Sequence, residues 1–567
     1  MENKPLIVQS DMTMLLETKH PDYEDARQDL AFFAELLKSP EYFHTYRITP
    51  ISLWNAASSG LTAENILMAL KRYSRYELPQ AVEYEIKRQI SRYGKIKLVK
   101  KGKNLLLTSD EKEFLDEIWN QPRIRKLLAP EKSEKGLIVL PENRGEIKQA
   151  LIKIGFPIKD LAGYDEGTSY PMATVPLTKQ GYRFKIRFYQ AKAVDMFLGY
   201  YNKYDGGSGV IVLPCGAGKT IVGIAAMTKL KTYTLILSTN IVALRQWKDE
   251  ILDKTNIIET DIGEYSGEKK EIKPITLVTY QILTYRGNDQ KIYPHFKLFN
   301  KENWGLIIYD EVHLLPAPVF RITASIQAKR RLGLTATLVR EDGHEDDVFS
   351  LIGPKRFDMS WKELEKKGYI AEATCVEVRI PLPQELRIEY SVTESRHDRF
   401  RMAAENVDKI TVLEELLDFH AHDQVLIIGQ FLGQLNEIAE RFSLEILTGK
   451  TPTSEREELY RQFREGEINH LVVSKVANFA VDLPDANVAI QISGTFGSRQ
   501  EEAQRLGRIL RPKRNGGKAI FYTLVSSDTS EETFSAKRQT FLTEQGYQYI
   551  IREAGDLRLE ELEDLTC

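Results

Sequence analysis

Short apolar runs alternate with helical patterns from about residue 184 onward. The first series of predicted strands occupies residues 209–213, 234–238, 275–278, 306–309 and 331–334. Apolar residues recur with helical spacing between several of these strands. Continuous apolar strands that alternate with helices indicate a parallel sheet that is covered on both faces.

A second series of the same kind begins near residue 424. Its predicted strands are 425–428, 444–447, 471–474, 488–492 and 519–524. Its predicted helices are 432–441, 454–464 and 498–510. The pattern therefore predicts two parallel α/β domains in tandem, joined by a charged region at 361–422.

The residues before this alternation follow a mixed pattern. A strand is predicted at 136–140 with a helix behind it at 145–154, and the turn-rich segment 163–181 leads to the first parallel domain. Residues 92–103 are basic. They are interpreted either as a solvated strand or hairpin or as a surface that faces nucleic acid.

Length, charge and cysteine content narrow the class of protein. A chain of 567 residues is too long for one hydrophobic core. A net charge of −3 argues against a protein that holds DNA by bulk charge, although a locally basic groove remains compatible with it. Cys215, Cys375 and Cys567 lie far apart, which favours reduced thiols in the cytoplasm over disulfides or a metal site. We expect neither a secretory signal nor a membrane span.

A phosphate-binding loop is predicted at the end of the first strand of the first series. The sequence Leu-Pro-Cys-Gly-Ala-Gly-Lys-Thr occupies residues 213–220, and a helical pattern follows it. Gly216 and Gly218 allow the backbone to wrap around a phosphate with its N–H groups pointing inward. The pattern directs Lys219 to the β and γ phosphates and the Thr220 hydroxyl to Mg²⁺. We therefore predict a site for ATP and Mg²⁺.

Two adjacent carboxylates end another predicted strand of the same series. The sequence Leu-Ile-Ile-Tyr-Asp-Glu-Val-His occupies residues 306–313. Asp310 is predicted to hold Mg²⁺ together with Thr220, and Glu311 to orient and polarise the attacking water. His313 is predicted to couple the nucleotide to the neighbouring domain, with a plain structural function as the alternative.

Small hydroxyl side chains follow the next strand. In the sequence Leu-Thr-Ala-Thr, Thr335 and Thr337 are predicted to link the γ-phosphate site to the rest of the protein. The charged residues Arg340, Glu341 and Asp342 come directly afterwards. Their composition alone is equally compatible with a solvated loop.

The second domain offers candidate arginine fingers. Gln504, Arg508 and Arg511 are separated by four and three residues, so they share one face of the predicted helix. Two arginines on one face suit the charge that develops on a phosphate in the transition state, where such groups accelerate hydrolysis about 10³–10⁵-fold. The alternative is a basic helix that contacts only a phosphate backbone or solvent.

Taken in this order, the motifs resemble those of superfamily 2 helicases, and within them the XPB family, including its bacterial members. The matching stretches are 5–10, 44–50, 187–190, 213–220, 310–313, 332–342, 482–487, 491–493 and 498–511. They look like the family's N-terminal domain, its adenine-contacting element and its first motif, DEVH box, third motif with an Arg-Glu-Asp element, fifth-motif region and sixth motif. Residues 474–479, with Ala477, Asn478 and Phe479, depart from the usual Gly-Asp-Thr of the fifth motif, which bears on DNA-coupled hydrolysis more than on ATP binding.

The resemblance implies a set of site residues. The implied nucleotide contacts are Gln190, Pro214, Cys215, Gly216, Ala217, Gly218, Lys219, Thr220, Asp310, His313 and Gln504. The implied catalytic residues are Lys219, Glu311, Arg508 and Arg511. The implied residues for nucleic-acid contact or coupling are Thr335, Thr337, Arg340, Glu341 and Asp342.

Pattern and resemblance together divide the chain. The predicted domains are an N-terminal domain at 1–125, a damage-recognition-like domain at 126–180, a first RecA-like domain at 181–360, a second RecA-like domain at 361–555 with a thumb-like insertion near 380–415, and an acidic tail at 556–567. The predicted fold class is thus α/β, with two tandem RecA-like parallel-sheet domains and additional mixed N-terminal domains.

The resemblance implies an ATP-dependent DNA helicase that moves 3′ to 5′ on single-stranded or forked DNA, in DNA repair, with a nuclease or repair protein as a partner. DNA contacts, mainly to phosphates, are expected from Tyr280, Gln281 and the 238–240 turn. One rival is a double-stranded DNA translocase that remodels complexes without separating strands. A scaffold with a vestigial ATP site is another rival, against which Lys219, Glu311 and Arg511 argue. A repair nuclease would need a further carboxylate cluster for its metal.

Overall fold

The computed structural model describes residues 4–39, 42–102, 104–133, 135–179, 181–199, 206–214, 216–286, 294–326, 329–336, 345–359, 361–369, 372–474, 486–494, 519–544, 547 and 549–557. The chain divides into two compact units. The first comprises Met1–Glu35, Thr45–Leu213 and Gly218–Met359, and the second comprises Leu36–His44, Pro214–Ala217 and Ser360–Cys567.

The N-terminal region carries two sheets and seven helices within its described residues. Its strands are β1 Leu6–Val8, β2 Thr13–Glu17, β3 Glu35–Lys38, β4 Phe43–Arg47, β5 Ile96–Lys101, β6 Asn104–Thr108, β7 Leu128–Ser133, β8 Gly136–Val139 and β9 Ile158–Asp160. Its helices are α1 Tyr23–Leu30, α2 Pro50–Ser58, α3 Ala63–Tyr73, α4 Gln80–Arg92, α5 Lys112–Trp119, α6 Pro122–Arg125 and α7 Arg144–Lys153. Thr49 and Thr62 cap α2 and α3 by accepting hydrogen bonds from backbone N–H groups of the first turn.

The second of these sheets has five strands in the order β7-β8-β6-β5-β9. It takes strands from both sides of residue 125, where the sequence predicts a domain boundary. The hydrophobic pattern locates strands but does not show which of them pair. Lys95 and Lys97, in the basic stretch before and within β5, form ion pairs with Glu111 and Asp110. Part of the charge of that stretch is therefore neutralised within the domain.

The first parallel sheet follows. Its strands are β10 Ser208–Val212, β11 Thr234–Ser238, β12 Ile262–Tyr265, β13 Ile275–Thr279, β14 Leu306–Asp310, β15 Arg330–Thr335 and β16 Lys355–Asp358. The associated helices are α8 Phe188–Leu198, α9 Lys219–Leu230, α10 Ile241–Lys254, α11 Tyr280–Thr284, α12 Ala317–Ser325 and α13 Glu345–Asp347, and a π-helical turn occupies Val348–Ile352. The strand order is β12-β13-β11-β14-β15-β10-β16, with neighbouring strands parallel throughout.

The second parallel sheet has the same number of strands. They are β17 Ala373–Ile380, β18 Val425–Gly429, β19 Glu445–Leu447, β20 His470–Ser474, β21 Val488–Gln491, β22 Ala519–Ser526 and β23 Tyr549–Glu553, in the order β19-β20-β18-β21-β22-β17-β23. Its helices are α14 Trp361–Lys366, α15 Gln384–Val392, α16 Arg396–Ala404, α17 Asp408–Phe419, α18 Leu432–Phe442, α19 Thr453–Glu465 and α20 Ser530–Glu544. The paired strands are parallel here as well.

The two parallel sheets confirm the predicted α/β class with tandem parallel-sheet domains. Each sheet has its own buried core of aliphatic and aromatic side chains. Within the residues whose structure is described, no helix is both long and apolar enough to cross a bilayer. The predicted helix at 498–510 lies outside the described residues, as does most of the predicted acidic tail.

Candidate nucleotide-binding site

The loop after β10 has the backbone that a phosphate requires. Gly216 and Gly218 both have φ of +79°, in the left-handed region that favours glycine. Gly218 is the N-cap of α9, so the first backbone N–H groups of that helix are those of Lys219 and Thr220. A Cβ atom at Gly218 would lie 2.5 Å from Nε2 of Gln190. The loop therefore offers an anion-binding helix end at a position where a side chain does not fit.

Gln190 lies beside this loop in the first turn of α8. Its side chain is only 3% exposed, and its Oε1 accepts a hydrogen bond of 2.9 Å from the backbone N–H of Arg187. This bond fixes the orientation of the amide, with Nε2 next to Gly218. The adenine-contacting residue implied by the resemblance is thus placed against the phosphate loop.

Lys219 and Glu311 come together at the ends of β10 and β14, which are separated in the sheet by β15. Nζ of Lys219 lies 3.2 Å from Oε1 of Glu311, and both side chains are largely buried. Glu311 follows β14, and Lys219 begins the helix that follows β10. Carboxyl ends of parallel strands meet at one edge of a sheet, and ligands of such folds bind there.

Asp310 ends β14 and is held by two side-chain donors. Ser238 Oγ and Trp247 Nε1 each donate a hydrogen bond of 3.0 Å to its Oδ2. The Tyr280 hydroxyl donates to the backbone carbonyl of Asp310 at 2.8 Å. Burial, followed by the charge of the adjacent Glu311, raises the pKa of Asp310 to about 6, against the lowering effects of Trp247, Lys219 and Ser238.

Glu311 has an unusual backbone. Its φ of +49° places a non-glycine residue in the left-handed region, at the start of a 3₁₀ turn, Val312–Leu314. Such conformations cost about 1–3 kcal/mol and concentrate at functional sites. Burial would raise the pKa of Glu311, but the charge of Lys219, aided by His313, outweighs burial and holds that pKa below its usual value. The carboxylate is consequently ionised at neutral pH, as a group that orients water must be.

His313 links Glu311 to the third motif. Its buried ring places Nδ1 2.6 Å from the Thr335 hydroxyl and 3.5 Å from Oε2 of Glu311. The carbonyl of Thr335 accepts a hydrogen bond of 2.9 Å from the backbone N–H of Leu213, which precedes the phosphate loop. The DEVH segment, the third motif and the start of the loop are therefore connected by direct hydrogen bonds.

Donor chemistry at this site suits Mg²⁺. This ion is usually held by one or two protein oxygens together with phosphate oxygens and water, and rarely by a cage of protein ligands. Asp310 supplies a carboxylate, and Thr220, in the first turn of α9, supplies a hydroxyl. In the described residues, there is no group of three or more His, Cys, Asp or Glu side chains that could hold a metal without a nucleotide. The residues thus fit a nucleotide-bound Mg²⁺.

Two of the expected DNA contacts have other partners. Ser238 and Tyr280 are 0% and 4% exposed, and both hydrogen-bond to Asp310. Burial and these bonds, from Ser238 to the Asp310 carboxylate and from Tyr280 to the Asp310 backbone carbonyl, make both side chains unavailable to DNA, contrary to the prediction. Asn240 caps α10 by accepting from the backbone N–H of Ala243, and Gln281 is exposed.

The sequence did not single out Trp247 as a site residue. The position of Ser238 at the carboxyl end of β11 and of Tyr280 directly after β13 could have indicated both of them, since ligand sites collect there. No such signal marks Trp247, which lies in the second turn of α10. The predicted site residues outside the described parts of the chain are Cys215, Thr337, Arg340, Glu341, Asp342, Gln504, Arg508 and Arg511, together with the departing residues Ala477, Asn478 and Phe479.

Three sequence families match the chain. They are described as ERCC3/RAD25/XPB C-terminal helicase, at residues 364–566, Helicase conserved C-terminal domain, at residues 6–133, and Type III restriction enzyme, res subunit, at residues 183–340. Together these matches include the N-terminal region and both parallel-sheet domains.

Curated relatives match over nearly the whole length. A protein of Mycobacterium tuberculosis named DNA 3′-5′ helicase XPB is 52% identical over 558 residues, which cover 98% of this chain and 99% of the relative. A protein of the same name from Kineococcus radiotolerans is 50% identical, with 98% of each chain covered. A general transcription and DNA repair factor IIH helicase/translocase subunit XPB from Enterocytozoon bieneusi is 35% identical, with 97% of this chain and 92% of the relative covered.

Proposed function

This chain belongs to the XPB family of helicases, and we propose that it is an ATP-dependent DNA helicase that moves along DNA in the 3′-to-5′ direction. It couples ATP hydrolysis to the separation of DNA strands. Two relatives that are named as DNA 3′-5′ helicases and match over nearly the full length support this assignment. The family's eukaryotic members, named as DNA repair factor subunits, support a function in DNA repair.

One observation carries the proposal of an ATPase site. Lys219 Nζ lies 3.2 Å from Glu311 Oε1 beside a glycine loop that opens a helix. The phosphate-binding cation and the carboxylate for the attacking water are therefore within one hydrogen-bond length of each other. When ATP binds, the γ-phosphate competes with Glu311 for the ammonium group, which frees the carboxylate for water.

Each of the chain's own groups has a proposed task in hydrolysis. The N–H groups of the 213–220 loop and Lys219 bind the phosphates, and Gln190 contacts the adenine. Thr220 and Asp310 would hold Mg²⁺, which neutralises charge on the phosphates when it is bound. Glu311 orients the water, and His313 with Thr335 keeps Glu311 in place.

The remaining proposals, on further site residues and on the domain boundaries, are based on the sequence alone. Arg508 and Arg511 supply positive charge to the transition state, and Gln504 contacts the nucleotide. Arg340, Glu341, Asp342 and Thr337 couple hydrolysis to DNA. The domain limits at 125, 180, 360 and 555 are retained as proposals, and so is a partner that is a nuclease or a repair protein. The wide spacing of three cysteines supports a place in the reducing cytoplasm, and Cys375 is buried.

ATP hydrolysis with and without single-stranded and duplex DNA tests the function. We expect DNA to stimulate hydrolysis in the unaltered protein. We expect Lys219→Ala to lose ATP binding and hydrolysis. Glu311→Gln should keep ATP binding while hydrolysis falls about 10²–10⁴-fold, because only the water-orienting group is lost. Equal activity in all three proteins would overturn the ATPase assignment.

Double-stranded DNA translocation is a second candidate. It is favoured by the eukaryotic relatives, which are named as helicase/translocase subunits. A helicase releases a labelled strand from a forked duplex, whereas a translocase displaces a third strand from a triplex and leaves the duplex intact. Triplex displacement without strand release would favour translocation.

A further inference from the structure

Asp310 is held from the side of one oxygen atom. Ser238 Oγ, at the end of β11, and Trp247 Nε1, on α10, both donate to Oδ2 at 3.0 Å. No described residue donates a hydrogen bond to Oδ1. One carboxylate oxygen is thus used for orientation, and the other remains available for a ligand.

Trp247 is fixed on its other side by the phosphate-binding helix. Its side chain is 2% exposed, and a Cβ atom at Gly223 in α9 would lie 2.4 Å from its Cη2 atom. Only glycine allows the two elements to approach so closely. The indole therefore lies between α9, which starts at the phosphate loop, and the carboxylate at the end of β14.

We propose that Trp247 and Ser238 are positioning residues that orient the Asp310 carboxylate toward Mg²⁺ and thereby set the affinity of the ATP site for this ion. The inference rests on the proposed function, since it requires a nucleotide bound with Mg²⁺. The inference goes beyond the proposed function, because neither Trp247 nor Ser238 is among the residues that contact nucleotide or metal in that function.

The physical reason is the freedom of an unrestrained carboxylate. An aspartate side chain rotates about its terminal bond over a broad range, so a single free carboxylate presents its oxygens to a metal only part of the time. Two donors to one oxygen fix the plane of the group and the position of the other oxygen. Loss of such outer partners elsewhere reduces metal affinity or activity about 10–100-fold.

A plain packing function is the competing explanation for Trp247. It predicts a loss of stability and a general weakening of nucleotide binding when the ring is altered. Trp247→Phe removes the N–H that reaches Asp310 together with the outer ring atoms, Cη2 and Cζ3, that face Gly223, so its control must lose the same side-chain volume. Trp304→Phe is the matched control, because Trp304 is fully buried in the same domain and donates its N–H to the carbonyl of Leu298 at 3.1 Å.

The experiment is a calorimetric titration of the full chain with ADP, once with saturating Mg²⁺ and once with EDTA. The ratio of the two affinities measures the contribution of Mg²⁺ without any turnover. We expect Trp247→Phe to reduce this ratio about 10–100-fold and to leave the affinity in EDTA unchanged. Ser238→Ala should reduce the ratio in the same direction, and Trp304→Phe should match the unaltered protein. Asp310→Asn defines the ratio that remains when the ligand itself is lost.

Two results would overturn the positioning proposal alone. In the first, the ratio of ADP affinities with Mg²⁺ and with EDTA is unchanged in Trp247→Phe and Ser238→Ala but falls in Asp310→Asn. The other is an equal loss of affinity in EDTA and in Mg²⁺, which would indicate packing. An unchanged ratio in Asp310→Asn would overturn the assignment of Asp310 as a metal ligand as well. Absence of ADP binding by the unaltered protein would overturn the proposed function itself.

Discussion

Lys219 and Glu311 form an ion pair between two largely buried side chains. Separating them without a substitute would leave a charge poorly solvated, which is unfavourable. In the proposed function, the γ-phosphate of ATP would replace Glu311 as the partner of the Lys219 ammonium group. The proposed function therefore requires this ion pair to separate when ATP binds.

The substitution Gly218→Ala adds one methyl group and tests whether the loop after β10 binds phosphate. In Gly218→Ala, an alanine would have to adopt a φ of +79°, and its Cβ would lie 2.5 Å from Gln190 Nε2. The loop or the glutamine side chain must therefore move. We expect ATP affinity to fall at least tenfold, about 1.4 kcal/mol, by calorimetric titration. Gly163→Ala is the control, since Gly163 has φ of +75° and nothing within 4 Å of a Cβ. Equal ATP affinity in the two variants would contradict this use of Gly218.

The placement of several candidate site residues at one edge of the first parallel sheet was predictable from sequence, and their functions stay predictions. Lys219, Asp310 and Glu311 were identified because glycine spacing and strand-end carboxylates follow directly from the chain. Trp247 was not, because an indole on a helix shows no pattern until the helix is packed. Ser238 and Tyr280 were assigned to DNA because sequence does not reveal on which side of a loop a side chain lies.

At the level of elements, α7 joins the five-stranded sheet to the first parallel sheet. A Cβ atom at Gly145 would lie 2.2 Å from the carbonyl oxygen of Ala324 in α12, so the two helices touch at their backbones. On neighbouring faces of α7, Arg144 and Lys148 both contact the buried carboxylate of Asp160. The contact thus combines close packing with a buried ion cluster.

The ion cluster makes stability depend on pH. Burial lowers the pKa of Lys148 from 10.5 to about 7, although the charge of Asp160 opposes the shift. Between these values, the unfolded chain binds the Lys148 proton and the folded chain does not, so stability rises with pH. Relative to Lys148→Met, we expect the unfolding free energy of the unaltered protein to increase by about 2 kcal/mol from about pH 7.5 to about pH 9.5.

Urea unfolding of both proteins at several pH values measures that difference. Lys97→Met serves as the control, because Lys97 lies in β5 of the five-stranded sheet that also contains Asp160, and it pairs with Asp110 on the surface. Its difference from the unaltered protein should be small at each pH, as exposed pairs contribute little. A difference between Lys148→Met and the unaltered protein that does not vary with pH would contradict a depressed pKa of Lys148.

Elements were predicted well where the strands are wholly apolar. All five predicted strands of each parallel series are present, with ends that differ by one or two residues. The sequence missed β17, whose apolar run is interrupted by Glu377 and Arg379. Glu377 is nevertheless buried, since Ser535 and Gln539 donate hydrogen bonds to its carboxylate. Partners that lie about 160 residues away are not visible in a local pattern.

For the whole molecule, a net charge of −3 requires that DNA binding be local. Contacts to phosphates release counterions, so we expect affinity for single-stranded DNA to fall steeply between about 50 and 200 mM salt. Fluorescence anisotropy with oligonucleotides of different sequence would show similar slopes for each. Lys219→Ala should bind DNA with the same salt dependence, because the proposed partner of Lys219 is a phosphate of ATP and not one of DNA. Salt-independent binding would contradict recognition through the backbone.

Arg331, on β15 of the first parallel sheet, is fully buried. Its guanidinium lies 5.5 Å from the centre of the Tyr164 ring and feels the charges of Arg144 and Asp160, which all come from the N-terminal region. If the first parallel-sheet domain were expressed without the residues before 181, the buried Arg331 side chain on β15 would lose its contacts with the N-terminal region. We therefore expect the N-terminal region and the first parallel-sheet domain to evolve together as one structural unit. Chimeric proteins made from two family members should take Asp160 and Arg331 from the same parent.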